Sequence, residues 1–347
     1  NKAFKMSNFI VGSSYSICEP LNSVNTKDRS NDISLSEMSP KDAKFDKMKA
    51  ASELLSEVLL GTDFDKWSTR MSSCADILKY YPHIDKETGE FLIKLIEVYF
   101  CHCRHCPVCD GRRSLRHMAM FRKSLPEILN DYPKARWVFM TLTVPNVPIE
   151  SLRDELRLMS RAWNKFIQRK EFKSVKGWIR KTEVTCEAKR KDYAHPHFHC
   201  LLMVSSSWFR GDNYTRQSRW SEIWGECMKL DTTPIVDVRA VKGTPDTAAV
   251  EVLKAFNYSV KPETLVNNRE WMLEYFNQVH YLKFIASGGA LKNVFKSTEP
   301  ETDESLIHVD GESEPSEDEA KVRVAFNWRT HDKQYRRFKK GDSGFAS

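Results

Sequence analysis

The 347-residue sequence has no uninterrupted apolar run approaching about 18 residues, so no membrane-spanning helix is expected. Residues 1–14 lack the apolar core of a secretory signal. Cysteines spread in pairs along the chain are also missing: of nine, four fall between positions 101 and 109. That crowding argues against a secreted disulfide framework and for metal binding in a reducing compartment, so a cytoplasmic location is expected. Residues 1–45 lack any sustained hydrophobic period and are expected to be disordered. Residues 298–319 lack Lys and Arg altogether while holding ten acidic residues. Outside them, 54 basic residues face 37 acidic ones, a net charge of +17. A body this basic suggests a polyanionic partner.

What is present begins with a helical apolar spacing over residues 47–60, and residues 65–81 are also expected to be helical. An apolar stretch, 91–100, leads into Cys101-His-Cys103-Arg104-His-Cys106-Pro-Val-Cys109. Cys106-x-x-Cys109 is half of a tetrahedral thiolate site, because that spacing lets two sulfurs converge on one ion. Cys101, Cys103 and the distant Cys74 are candidates for the other two ligands. Arg104, Arg112, Arg113 and Arg116 flank this knuckle, the later ones on an expected helix, and suit phosphate contacts.

Residues 136–144 (RWVFMTLTV) read as a strand from their β-branched and aromatic content, ended by Pro145-Asn146-Val-Pro. Residues 149–169 read as a helix whose Leu152, Leu156, Met159, Trp163 and Phe166 form a core stripe. A strand over 177–187 places Glu183, Thr185 and Glu187 on one face. After a turn comes His195-Pro-His197-Phe-His199-Cys-Leu-Leu-Met-Val, in which alternation puts His197 and His199 on one face. Glu183 or Glu187 on the neighbouring antiparallel strand adds a carboxylate, giving three ligands with open positions for a catalytic divalent ion. Helices are expected over 215–230, 246–259 and 268–284, with a strand over 234–241 between the first two. Glu251, Lys254 and Tyr258 share a face of the second helix. The order β-α-β-β-α-β-α-α suits an α+β fold, an antiparallel sheet covered by helices on one side.

These motifs resemble the HUH-endonuclease initiators of rolling-circle replication in small bacterial plasmids, in the group with a cysteine-rich zinc segment ahead of the nuclease. The resemblance rests on residues 139–146 (FMTLTVPN), on His195-Pro-His-Phe-His199, on Tyr258-Ser-Val-Lys261 and on the 100–114 cysteine segment, and runs from about Cys74 to Val294. It implies an HUH nuclease domain with a central antiparallel sheet over 124–297. A helical, zinc-binding, DNA-contacting segment would precede it over 46–123. An acidic linker, 298–320, and a basic aromatic segment, 321–347, would follow. By the same resemblance His197, His199 and Glu183 hold Mg²⁺ or Mn²⁺, and Cys74, Cys101, Cys106 and Cys109 hold structural Zn²⁺, with Cys103 an extra candidate. Tyr258 is the nucleophile, leaving a 5′-phosphotyrosine and a free 3′-OH, and Lys261 neutralises phosphate charge. Several family members carry a glutamate four residues before the tyrosine. Here that position is Lys254, and Glu251 is the candidate replacement. His195, Thr143 and Asn146 are expected to support the site. Origin DNA is the implied partner, as duplex and as hairpin single strand, with a host helicase and polymerase, and a homodimer is compatible. The rival readings are a non-catalytic zinc-dependent nucleic-acid-binding regulator and a transposase using the same chemistry. A conjugative relaxase usually places its tyrosine ahead of the His motif, whereas here it follows.

Overall fold

The histidine strand, Tyr193–Val204, lies in the middle of the larger of two antiparallel sheets. In the computed structural model the described residues are 33–85, 88–187, 189–211, 214–243, 268–296, 300–309 and 323–338. The smaller sheet comes first. Its strands are β1 (Ile77–Ile84), β2 (Phe91–Val98), β9 (Val324–Arg329) and β10 (Gln334–Arg337), in the order β10-β9-β1-β2. Helices α1 (Leu35–Met38), α2 (Lys44–Leu59) and α3 (Asp65–Ser72) precede β1. The larger sheet has β3 (Arg136–Thr143), β4 (Val147–Pro148), β5 (Val175–Cys186), β6 (Tyr193–Val204), β7 (Val236–Ala240) and β8 (Ile285–Gly289). Its order is β7-β3-β6-β5-β8, with β4 paired to β6.

One face of the larger sheet is covered as expected. The α5 helix (Leu152–Phe166) buries Leu152, Leu156, Met159, Trp163 and Phe166 against Phe198, Cys200, Leu202 and Val204. The α6 helix (Gln217–Met228) adds Trp220 and Trp224 to this core. Fully burying each such side chain contributes about 1.5–3 kcal/mol. The opposite face is not bare, and here the expectation of one-sided cover is corrected. The long α4 helix (Pro107–Asp131) lays Phe121, Leu125 and Ile128 over Trp137, Ile179, Leu201 and Met203. The α4 helix therefore runs straight through the expected boundary at 123/124.

Four further expectations need correction. Residues 65–81 are not one helix: α3 ends at Ser72 and β1 starts at Ile77. The aromatic and β-branched content of β1 finds partners on both sides, in β2 and β9. Residues 33–45, inside the stretch expected to be disordered, are structured. Ser34 and Glu37 form a capping box, Leu35 and Phe45 are fully buried, and Ser34 bridges to Arg336. Residues 300–309 of the expected acidic linker are docked: α8 (Asp303–Ile307) is capped by Thr302 and buries Leu306 and Ile307. The expected 268–284 helix stops at Val279 as α7 (Arg269–Val279) and gives way to β8. The basic C-terminal segment forms β9 and β10 and completes the smaller sheet.

Candidate metal centres

The β5–β6 register sets Glu183 directly opposite His197. Alternation keeps His199 on the same face, and Lys181 stands opposite it. The side chains converge: Nε2 of His199 lies 2.9 Å from a Glu183 carboxylate oxygen, and the two Nε2 atoms are 3.1 Å apart. Nε2 of His197 is 3.6 Å from the same oxygen. Two imidazoles bound at about 2.1 Å and at right angles would sit about 3.0 Å apart, so the donor set fits one ion. His197 is buried, and Glu183 and His199 are partly exposed, which leaves an approach for further ligands. Glu187, the other candidate carboxylate, instead pairs with Arg190.

Surrounding groups aim these donors. Nδ1 of His197 faces the backbone carbonyl of His195 at 3.3 Å, and Nδ1 of His199 faces Oγ1 of Thr141 at 3.3 Å. With Nδ1 engaged, each Nε2 is left to face the metal position. The Phe139 ring stacks on His199 at 5.5 Å. Burial alone would raise the Glu183 carboxyl, but hydrogen bonds and charge from His197 and His199 hold it well below the usual carboxylate range. His195 meets Oδ1 of Asn146 at 2.6 Å. Burial, then the neighbouring His197, lowers the His195 pKa. Thr143, opposite His197, donates to the Ile235 carbonyl, while Trp224 donates to Thr143's own carbonyl.

Thr141, Phe139 and Lys181 were missed in the sequence reading. The signal was available, because alternation from Thr143 and Glu183 puts all three on the histidine face. Tyr258, Lys261 and Glu251 lie outside the described residues.

The second centre is a group of four buried thiols: Cys74, Cys101, Cys106 and Cys109. Cys109 lies 3.6 Å from Cys74 and 3.6 Å from Cys101, and Cys106 lies 3.7 Å from Cys74, sulfur to sulfur. Tetrahedral thiolates about 2.3 Å from a zinc ion would be about 3.8 Å apart, so these sulfurs fit one. Cys106 and Cys109 start α4, where the helix N-terminus favours thiolate. Cys74 follows α3, and Cys101 follows β2. Cys103 is buried but stands outside the convergent group.

The arginines expected to contact DNA divide. Arg112 is buried and donates to the carbonyls of Leu306 and Ile307, each at 2.7 Å. Arg113 holds both oxygens of Glu301 and the carbonyls of His102, Cys103 and Arg104. Burial disfavours its charge, yet Glu301 raises its pKa further. A DNA-contact role for Arg112 and Arg113 is thus corrected: their donors are spent holding α8 and the knuckle. Arg104 is exposed and gives one N–H to the Leu282 carbonyl, and Arg116 is half-buried.

The replication protein family, Rep_1, matches residues 92–336. A protein rep of Streptococcus pneumoniae serotype 2 is 33% identical over 231 residues, covering 65% of this chain and 70% of its own length. A protein rep of Bacillus amyloliquefaciens is 37% identical over 255 residues, 67% of this chain and 73% of its own. One from Lactiplantibacillus plantarum is 32% identical over 283 residues, 76% and 85% respectively. No solved structure matches the chain significantly. No helix among the described residues is long and apolar enough to cross a membrane. Because the family match takes in the Glu-His-His group and every thiol ligand except Cys74, the chain belongs to the Rep_1 replication protein family, the plasmid rolling-circle initiators that its motifs resemble.

Proposed function

We propose that this protein nicks origin DNA in the cytoplasm, using a divalent ion and a tyrosine, and so starts rolling-circle replication. The observation that carries this reading is the convergence of Glu183, His197 and His199 on one point of the larger sheet. An ion such as Mg²⁺ or Mn²⁺ held there supplies Lewis-acid polarisation of the scissile phosphate. The chain's own residues do the rest. Thr141 and the His195 carbonyl orient the imidazoles. Tyr258 attacks phosphorus as its phenol proton passes to water, the bond to the 3′ oxygen breaks, and that oxygen takes up a proton from water. The products are a 5′-phosphotyrosine and a free 3′-OH that primes synthesis. Lys261 neutralises charge on the phosphate. The linkage energy is kept in the phosphotyrosine, so strand transfer at termination needs no nucleotide cofactor, and Glu251 is the candidate group for activating water there. The four thiols would hold zinc as a structural ion. A host helicase and polymerase would extend the primed end.

The test is incubation of the full chain with a labelled single-stranded origin oligonucleotide and Mg²⁺ or Mn²⁺, read as a covalent adduct on a denaturing gel. An adduct in the wild type that Tyr258→Phe and His199→Ala each abolish is expected. No adduct with any divalent ion would leave the non-catalytic regulator as the reading, and an adduct surviving Tyr258→Phe would move the nucleophile to another residue.

A further inference from the structure

Beside the Glu-His-His group the same sheet face opens into a cavity of about 800 Å³. Its floor is the β5–β8 pair, where Lys181 stands opposite both His199 on β6 and Ile285 on β8. Its wall is the first turns of α4, where Asp110, Arg113, Ser114 and His117 recur at helical spacing. The cavity therefore begins one residue pair from the catalytic metal position, and the thiol group fixes the start of the helix that walls it.

The lining has a consistent chemistry. Five cations, Arg104, Lys181, Lys283, Lys292 and Lys296, line it beside Asp110, while Arg113 is already paired with Glu301 at the rim. Lys292 and Lys296 are exposed and have no carboxylate partner among the described residues. Phe295 is half-buried and offers aromatic surface, with His117 packed 4.8 Å from its ring. Nε2 of His105 is buried at this lining without a hydrogen-bond partner among the described residues. One oxyanion is already bound at the rim: Glu301 takes two N–H groups of Arg113 and a ring nitrogen of His102.

We infer that this cavity receives the phosphates and bases of single-stranded DNA adjoining the scissile bond, and so feeds the strand to the metal position. Cations that track a backbone, with aromatic faces between them, are the recurring means of holding single strands. A volume of about 800 Å³ is large enough for about one or two nucleotides. This inference rests on the DNA-strand substrate proposed above.

The experiment measures binding of a fluorescent single-stranded oligonucleotide to the full chain by anisotropy at several salt concentrations, with no divalent ion added. Lys292→Ala with Lys296→Ala is compared with wild type and with Lys170→Ala plus Lys173→Ala, two exposed lysines beside the core of the opposite sheet face. Circular dichroism and metal content confirm that each variant is folded. The cavity variant is expected to bind about tenfold more weakly, with a salt slope lower by about 1.4, two single-strand phosphate contacts' worth. The control is expected to match wild type. Affinity and slope within a factor of two of wild type would overturn the inference, as would an equal loss in the control. A duplex that competes as well as the single strand would overturn it too. Adduct formation by the same wild-type preparation separates this from the nicking reading. An adduct with unchanged binding in the cavity variant sinks only the cavity, while weakened binding without any adduct sinks only the nickase.

Discussion

Glu301 shows how a residue from a segment without a single cation can become structural. Its carboxylate sits between Arg113 and His102, and although burial alone would raise its pKa, those partners, Arg113 above all, hold it down at about 2. A depressed carboxylate stabilises the fold above its unfolded pKa of 4.5 and loses that contribution as pH falls toward about 2. Glu301→Gln should therefore cost about 1–2 kcal/mol at neutral pH. The gap between the two proteins should close as pH falls from about 4.5 to about 2, read from denaturant midpoints at each pH. A gap that persists at pH 2 would show that packing, not charge, holds this segment. The metal-site residues were legible because β alternation fixes which side chains share a face: His197 and His199 follow from spacing, with Glu183 one of two carboxylates on the neighbouring strand, whereas His195 and Asn146 came only from the family resemblance. Arg112 was not, because its partners are backbone carbonyls nearly two hundred positions away. A basic helix face that grips its own chain has the same sequence as one awaiting phosphate.

Among the elements, α4 does two jobs. Its first turn supplies two thiols of the cysteine group, and its later turns bury Phe121 and Leu125 under the sheet that carries the histidines. Cys106→Ser should empty the thiol site, since three thiols and a hydroxyl hold zinc far more weakly. Metal content should fall from one structural ion per chain to none, and the unfolding midpoint should drop by roughly 10 °C or more. Adduct formation should fall with it, because the wall beside the metal position moves when the start of α4 is released. Retained zinc by metal analysis, or unchanged activity in a zinc-free variant, would separate the two halves of this helix. Periodicity revealed α5 and α6, and the spacing of the histidines and of Glu183 revealed the β5–β6 hairpin. It failed at residues 65–81, where α3 and β1 run together over four linking residues. It also failed at α1 and α8, helices of four and five residues, too short for a period to register.

At the scale of the whole molecule, the smaller sheet is built from both ends of the described chain. Phe326 and Tyr335 are fully buried, the Tyr335 hydroxyl donates to the Ala75 carbonyl, and its backbone N–H donates to Asp46. Truncation after residue 322 should therefore cost at least about 5 kcal/mol in this sheet, since two large aromatic side chains are lost from it. In hydrogen exchange, the amides of β1 should lose protection while those of β5 and β6 keep theirs. Unchanged protection in β1 would refute this division. The fold class was readable from the order of elements, but this closure was not, because neither end carries a local sign of the other.

The pairing of β1 with β9 also sets an order of events during translation. Every strand of the histidine sheet, through Ile285–Gly289, is synthesised before Val324–Arg329. The strands that carry Glu183, His197 and His199 are thus all made while β1 still presents an open edge beside the cysteine cluster. Open edges recruit other strands, so the interval before the last hairpin arrives is when this protein is most exposed to aggregation.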